Sequence, residues 1–448
     1  MKGISLFSSA GIGDLAYRAC GIEIVVASEL IQERAKLHKR NFPSTDVVVG
    51  DIWDKQEEIV SKTLSRIDGD SIDFVFATPP CQGMSRNGLG KLLSGVRAGK
   101  KPSIDHRNRL IIPTLNIICE LKPKVVFFEN VPEMFGTVID DQDGNLVEIV
   151  EYIRQRLGPE YIGHAEVVNF ADYGVPQRRQ RLITIFSRVA ALHELFGTVK
   201  TFIPPRSHSA SGGGGLKKWT TLRDVISDLP PLDAKVKETA ASNLNFHRVP
   251  VLDPKKYTWI SYTPQNKGAF DNQCVNPACL YQGNQTHGAT QNGDGINKFN
   301  TDTPLYCEKC NDLLPRPYTV LPDGTLRIMS GFTSAYKRMS WDLPSSTLTT
   351  NLSYPSSDHK IHPDQNRVLS LYEAFRLHTL DKFDYVWETE PGIVAKDTLI
   401  TEVIGESIPP LGIFLLVNHL INCMQEPEMV LANVVNSANG ALQLSLPY

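Results

Sequence analysis

An α/β fold built on a largely parallel sheet is what this chain predicts, and three observations carry that expectation. Short β-branched runs alternate with helical patterns through residues 1–190. Glycines and unusual polar residues gather where those runs end, at the carboxyl edge where open parallel sheets bind ligands. The chain has 448 residues, 41% apolar and 21% charged, which suits more than one globular core and excludes bulk disorder.

Strands are expected over Gly3–Phe7, Ile22–Ser28, Val47–Val49, Ile72–Ala77 and Val125–Glu129. Helices are expected over Gly13–Cys20, Gln32–Asn41, Gln56–Ile67 and Leu110–Leu121. After Arg188 the texture changes: Ser207 to Gly215 reads as a Ser/Gly linker, and Pro, Asn and Gly stay frequent through Gly331. Regular patterns return at Leu369–His378 and Ile408–Met424. The expected organisation is a first part over 1–190, an irregular insert over 191–331, and a return over 332–448 that rejoins the first part and ends in a helix.

The strongly apolar stretch Ile413 to Ile421 is far short of the roughly 20 residues that span a bilayer. The N-terminus reads directly as a buried strand, with no basic leader, so a cytoplasmic protein with no membrane partner is expected. A net charge of -3 confines any polyanion site to a local patch. One basic cluster runs through Arg86, Lys91, Arg97, Lys100, Lys101, Arg107 and Arg109, and a second is Arg178, Arg179 and Arg181. Taken alone, each is ordinarily a solvated face.

Phe7-Ser8-Ser9-Ala10-Gly11-Ile12-Gly13 ends the first strand and opens a helix, and its glycines let backbone approach a ligand at a helix N-terminus. Glu29 ends the next strand, about 20 residues on, the offset at which an acid accepts from ribose hydroxyls. A plain tight turn or a dinucleotide site would leave the same trace. Asp51 follows the third strand on the same edge, where an N-cap role is equally open. The fourth strand ends in Pro79-Pro80-Cys81-Gln82, two prolines giving the cysteine a defined direction. Cys81 is there a candidate nucleophile, although an isolated free cysteine is ordinarily buried filler. The fifth strand ends in Glu129-Asn130-Val131, beside the fourth if sequential strands are neighbours. Gln177, Arg179 and Arg181 alternate along a further strand-like run and share a face.

Together, and in this order, Phe7–Gly13, Pro79-Pro80-Cys81-Gln82, Glu129-Asn130-Val131 and Gln177–Arg181 resemble the motifs of cytosine-C5 methyltransferases of the DNA restriction–modification type. Arg338–Asn351 is similar to the family's ninth motif and Gly405–Pro409 to its tenth. The resemblance implies a Rossmann-like S-adenosylmethionine-dependent sheet with a second, irregular target-recognition domain. It implies catalysis by Cys81 as nucleophile, Glu129 at N3 and the exocyclic amine of the base, and Arg181 on the O2 side with Arg179 behind it. It assigns S-adenosyl-L-methionine to Phe7, Ala10, Gly11 and Ile12, to Glu29, Asp51, Ile52 and Pro79, and to Glu406 and Ser407. Two residues depart from the family pattern: Ser9 stands where glycine is usual, and Glu406 where the tenth motif usually has asparagine.

Cys274-x4-Cys279 and Cys307-x2-Cys310 present four soft ligands on two short loops, the arrangement of a structural zinc ribbon. A disulfide pair or free thiols remain alternatives, and His287 between the loops reads as a surface residue. Such a staple suits an insert with few apolar residues. The expected function is transfer of a methyl group to cytosine C5 in double-stranded DNA by a monomer, with a cognate restriction endonuclease acting separately. A tRNA-directed cytosine methyltransferase and a catalytically silent DNA-binding homologue are the alternatives. A dinucleotide oxidoreductase would use the glycine turn but not the Pro-Pro-Cys-Gln strand end.

Overall fold

A computed structural model of the chain describes residues 1–80, 106–141, 143–287, 289–291, 297–299, 302–329, 334–357 and 359–428. Five parallel strands form the heart of a seven-stranded sheet: β1 (Lys2–Leu6), β2 (Glu23–Glu29), β3 (Asp46–Val49), β4 (Phe74–Ala77) and β5 (Val125–Asn130). After a short hairpin, β6 (Val138–Asp140) and β7 (Leu146–Glu148), the sheet is extended by β8 (Ile162–Asn169) and β10 (Gln180–Ser187), with the two-residue β9 (Gln177–Arg178) between them. The strand order is β3-β2-β1-β4-β5-β10-β8, and β10 runs antiparallel to both its neighbours. The order reverses at β1, so the crevice beyond β1 and β4 is the topological switch point.

Both faces of this sheet are covered, which is why its strands read as continuous apolar runs. Alternation within each strand divides the core. Val75, Ala77, Val126 and Phe128 face α3 (Ile52–Ile67), α4 (Ile111–Leu121) and α5 (Ile149–Leu157). Phe74, Phe76, Val125 and Phe127 face α1 (Ile12–Ala19), α6 (Ala190–Val199) and the C-terminal helix Pro410–Gln425. The remaining helix of the first part, α2 (Gln32–Asn41), follows β2 and lends Leu37 to a cluster with Leu348, Phe375, Ile400 and Ile404 from the returning segment. That returning segment carries the helices Leu371–Leu377 and Asp397–Glu406, the second of which the sequence pattern did not announce. The stretch Asp397–Gln425 is long and apolar enough to cross a membrane, yet 78% of its most apolar window is buried inside the protein. It is also broken into two helices around Ser407–Pro409. Its apolarity belongs to the core.

The remaining core gathers side chains from Leu232 to Val368, among them Trp259, Phe270, Tyr336 and Ile361. Regular structure is sparse here, and buried guanidinium groups take its place in satisfying backbone carbonyls. Arg338 donates to Thr263 O, His362 O, Gln365 O and Ile260 O, over 2.6–2.9 Å. Burial holds its pKa down to about 10.

Ser207–Gly215, expected as a linker, is instead a closed turn. Gly212, Gly213, Gly214 and Gly215 all have φ between 59° and 87°, which side-chain-bearing residues adopt only under strain. The turn is anchored to the sheet domain by Ser207 N–H on Asp172 O and Trp219 Nε1–H on Asp172 Oδ1, at 3.1 and 2.8 Å.

Candidate active site and cysteine cluster

The turn after β1 is built on left-handed backbone. Phe7, Ser9 and Gly11 have φ of 60°, 49° and 80°. A Cβ on Gly11 would fall 2.7 Å from Phe42 and 2.8 Å from His38, so only glycine fits against α2 here. His38 is itself held by Asp14 Oδ2 at 2.7 Å, and Asp14 Oδ1 accepts from Ser5 at 2.8 Å. Ala10 and Ile12 are buried, and Ala10 O accepts from the Tyr385 hydroxyl of the returning segment at 2.7 Å.

Glu29 ends β2 and is 93% buried. Oε2 accepts from Ser9 N–H and Oε1 from Ile31 N–H, both at 2.9 Å. Desolvation raises its pKa, and those backbone donors together with Arg34 oppose the rise. Asp51 is the N-cap of α3, accepting from Trp53 N–H at 3.0 Å while its side chain stays exposed. Ile52 beside it is buried.

Glu406, the departure in the tenth motif, ends the helix Asp397–Glu406 and pairs with Arg34 at 2.6 Å. Arg34 on α2 was not anticipated from the sequence. Its only signal was the family departure itself, a carboxylate where the motif usually has asparagine. Ser407 Oγ meets His378 Nε2 at 2.9 Å. Burial first, and then Arg179, drives the His378 pKa well below its ordinary value, so the ring is neutral.

The fourth and fifth strand ends are joined. Asn130 Nδ2 donates to Pro79 O at 3.0 Å, an interaction buried from solvent. Asn130 belongs to a motif singled out in the sequence, but its role as a tie between strands needs the register of β4 against β5. Cys81, two residues beyond Pro79, lies outside the described residues, as do Arg86, Lys91, Arg97, Lys100 and Lys101 of the basic cluster. Glu129, buried at the end of β5, lies 2.7 Å from Arg181 Nε. Desolvation raises the Glu129 pKa; Arg181 and Arg179 pull against it.

Gln177, Arg179 and Arg181 all turn inward while Arg178 and Gln180 are exposed, so the second basic cluster is not a solvated face. Arg179 is fully buried and donates to Leu348 O at 2.8 Å and Gly405 O at 3.0 Å. Gln177 Oε1 accepts from Leu348 N–H at 3.1 Å. These bonds lock three separated motifs onto one edge. Gly405 is part of the same lock: a Cβ there would fall 2.2 Å from Thr350 N.

In the insert, the sulfur atoms of Cys274, Cys279, Cys307 and Cys310 lie within 4.8 Å of one another. Cys274 and Cys310 are 3.6 Å apart, and Cys279 and Cys307 3.9 Å. A disulfide needs an S–S separation near 2.05 Å, so these are four converging thiols. His287 stands apart, stacked on Phe270 with ring centroids 4.5 Å apart and bonded through Nδ1 to Thr303 at 2.7 Å.

A Type II methyltransferase, M1.HgaI of Avibacterium volantium, is 29% identical over 431 residues, covering 94% of this chain and 98% of that protein. M.AquIA of Picosynechococcus sp. is 30% identical over 243 residues, covering 51% and 89% respectively. Among solved structures, a prophage-encoded E. coli protein assigned as a DNA modification methyltransferase superposes with a TM-score of 0.52 at 18% identity, over 95% of this chain and all of that one, which supports the fold. The family described as C-5 cytosine-specific DNA methylase matches residues 1–422, and with that span of the sequence the chain belongs to this family of methyltransferases.

Proposed function

We propose that the chain transfers a methyl group from S-adenosylmethionine to C5 of one cytosine in a specific duplex DNA sequence, through a covalent Cys81 adduct on a flipped-out base. The observation that carries this reading is the joint between the strand ends. The Asn130–Pro79 bond holds the segment leading to Cys81 against the strand that presents Glu129 to Arg181.

A nucleoside cofactor fits the β1–β2 edge. The edge offers a buried carboxylate at Glu29, a helix N-terminus behind the Gly11 turn, and two buried polar atoms, Ser9 Oγ and Arg34 Nε, without a hydrogen-bond partner among the described residues. Phe7, Ala10, Gly11 and Ile12 would line it from the turn. Glu29 and Asp51 would take polar groups, and Ile52, Pro79, Glu406 and Ser407 would close it. When bound, S-adenosylmethionine supplies an electrophilic methyl group.

Cytosine C5 is a poor nucleophile until a thiolate adds at C6. The Cys81 thiolate forms that bond and the ring electrons move towards N3, where Glu129 assists protonation. Arg181 holds the O2 side, and Arg179 fixes the ninth and tenth motifs in place through Leu348 O and Gly405 O. After C5 is methylated its proton is lost, the C5–C6 double bond reforms, and Cys81 leaves. The base must leave the duplex stack for any of this to occur.

Four thiols suit one structural zinc. For Zn–S bonds of about 2.3 Å, a tetrahedron has sulfur–sulfur edges of about 3.8 Å, and the 3.6 and 3.9 Å pairs bracket that value. We assign target recognition to the body that contains this cluster, whose core runs from Leu232 to Val368, while Ala190–Val199 at the start of the expected insert packs with the sheet. The protein then acts as a cytoplasmic monomer on double-stranded DNA, separately from any cognate restriction endonuclease.

The test is expression in a host without cytosine methylation, followed by sequencing for 5-methylcytosine. Methylation at one recurring duplex sequence is expected, lost in Cys81→Ser, with a covalent adduct of the wild type on 5-fluorocytosine DNA. Methylated transfer RNA beside unmodified DNA, or an active Cys81→Ser variant, would overturn the reading.

A further inference from the structure

We propose that the Ser9 hydroxyl is a binding group in this site, donating a hydrogen bond to a ribose hydroxyl of the bound nucleoside. The inference rests on the cofactor reading above and adds to it a contact that glycine at this position could not make.

Three features meet at Ser9. Its backbone sits at φ 49°, a conformation that glycine adopts freely and a residue with a Cβ adopts under strain. Its Oγ is buried and has no hydrogen-bond partner among the described residues. Its own N–H donates to Glu29 Oε2 at 2.9 Å, which ties the hydroxyl-bearing residue to the carboxylate at the end of β2. Glycine at position 9 would remove the strain and the unsatisfied hydroxyl together. A residue that incurs both costs in the free protein therefore calls for a compensating partner.

The surroundings narrow what that partner is. Across Glu29, Arg34 is itself 91% buried, has an unpartnered Nε, and is anchored through Nη1 to Glu406 at 2.6 Å. The edge thus presents a carboxylate that accepts, a guanidinium that donates, and a hydroxyl that can do both. Vicinal hydroxyls match this set. One donates to Glu29 while its neighbour accepts from Ser9 Oγ–H. The adenine ring and the sulfonium do not need such a pair.

The experiment compares wild type and Ser9→Gly by calorimetry with S-adenosylhomocysteine and with its 2′,3′-dideoxyribose analogue, alongside melting temperatures. Ser9→Gly should bind S-adenosylhomocysteine about three- to tenfold more weakly, and the two proteins should bind the dideoxy analogue alike. The variant should melt at the same temperature or higher, because glycine accepts the φ of 49° without strain. Weaker binding with an equal or firmer fold is a combination that a packing role does not produce. Equal affinity of both proteins for S-adenosylhomocysteine overturns the proposal, as does an equal loss on the dideoxy analogue. A wild type that binds no S-adenosylhomocysteine overturns the cofactor reading itself, and this contact with it.

Discussion

Arg179 and Arg181 are the same residue type two positions apart, and their surroundings give them different work. Arg179 has no solvent exposure and spends its donors on Leu348 O and Gly405 O. Arg181 keeps 13% of its side chain exposed and puts its charge on Glu129. Because burial raises the Glu129 pKa and Arg181 opposes that rise, Arg181→Ala should move the Glu129 ionisation to higher pH. The pH dependence of single-turnover methylation is the measurement, with the rate itself falling about a hundredfold or more. Arg181→Lys should keep the ionisation near that of the wild type, and a downward shift in Arg181→Ala would contradict the assignment. The sequence motif showed that these arginines belong together. It could not tell the clamp from the cation paired with Glu129, since that depends on carbonyls 169 and 226 residues away in the chain.

The cysteine loops show how an element without an apolar core holds its shape. Among the described residues, the cluster around them buries only Cys274, Cys307 and Leu314, with Cys279, Tyr281 and Cys310 packed against them. Arg316 stitches neighbouring backbone together through Asn272 O, Gln285 O and Pro304 O, at 2.8–2.9 Å. Under the zinc assignment proposed above, so little apolar area leaves the fold of this element to the metal. Metal analysis should find about one zinc per chain, the content of a single four-thiolate site. Changing both Cys307 and Cys310 to Ser should unfold this element, lowering specific duplex binding and methylation together while cofactor binding survives. Full sequence-specific methylation by zinc-free protein would show that the thiols are not a staple. Here the spacing in the sequence was sufficient, because two short loops each carrying a cysteine pair leave the chain few other ways to converge.

At the scale of the whole molecule, the cores are closed by histidines held neutral. Burial lowers His419 to about 4 and, with Arg367 adding to it, lowers His362 to about 3; His378 is also driven well down. The folded state refuses protons that the unfolded chain accepts near its ordinary value of about 6.5. Stability is therefore complete above that pH and is lost as pH falls towards the folded values. Thermal melting should drop between pH 7 and pH 5, and His419→Leu should flatten the drop by removing one of the groups. A variant as steep as the wild type would place the linkage elsewhere.

By itself the sequence determined the alternating α/β body, its ligand edge and the order of the motifs. Strand and helix periodicities are local, and strand ends in an open parallel sheet point to one side whatever the partners are. All five expected strands shift by only one or two residues at an end, as with Gly3–Phe7 against Lys2–Leu6. The family departures at Ser9 and Glu406 were visible too, but not their meaning. Only the tertiary structure set Arg34 against Glu406, brought Ser9 N–H to Glu29, tied Asn130 to Pro79 and closed the glycine run at Gly212–Gly215 into a turn. The pairings are set by packing rather than pattern. The Arg34–Glu406 contact joins residues 372 positions apart, a distance over which no periodicity carries information, and only folding brings the two charges together.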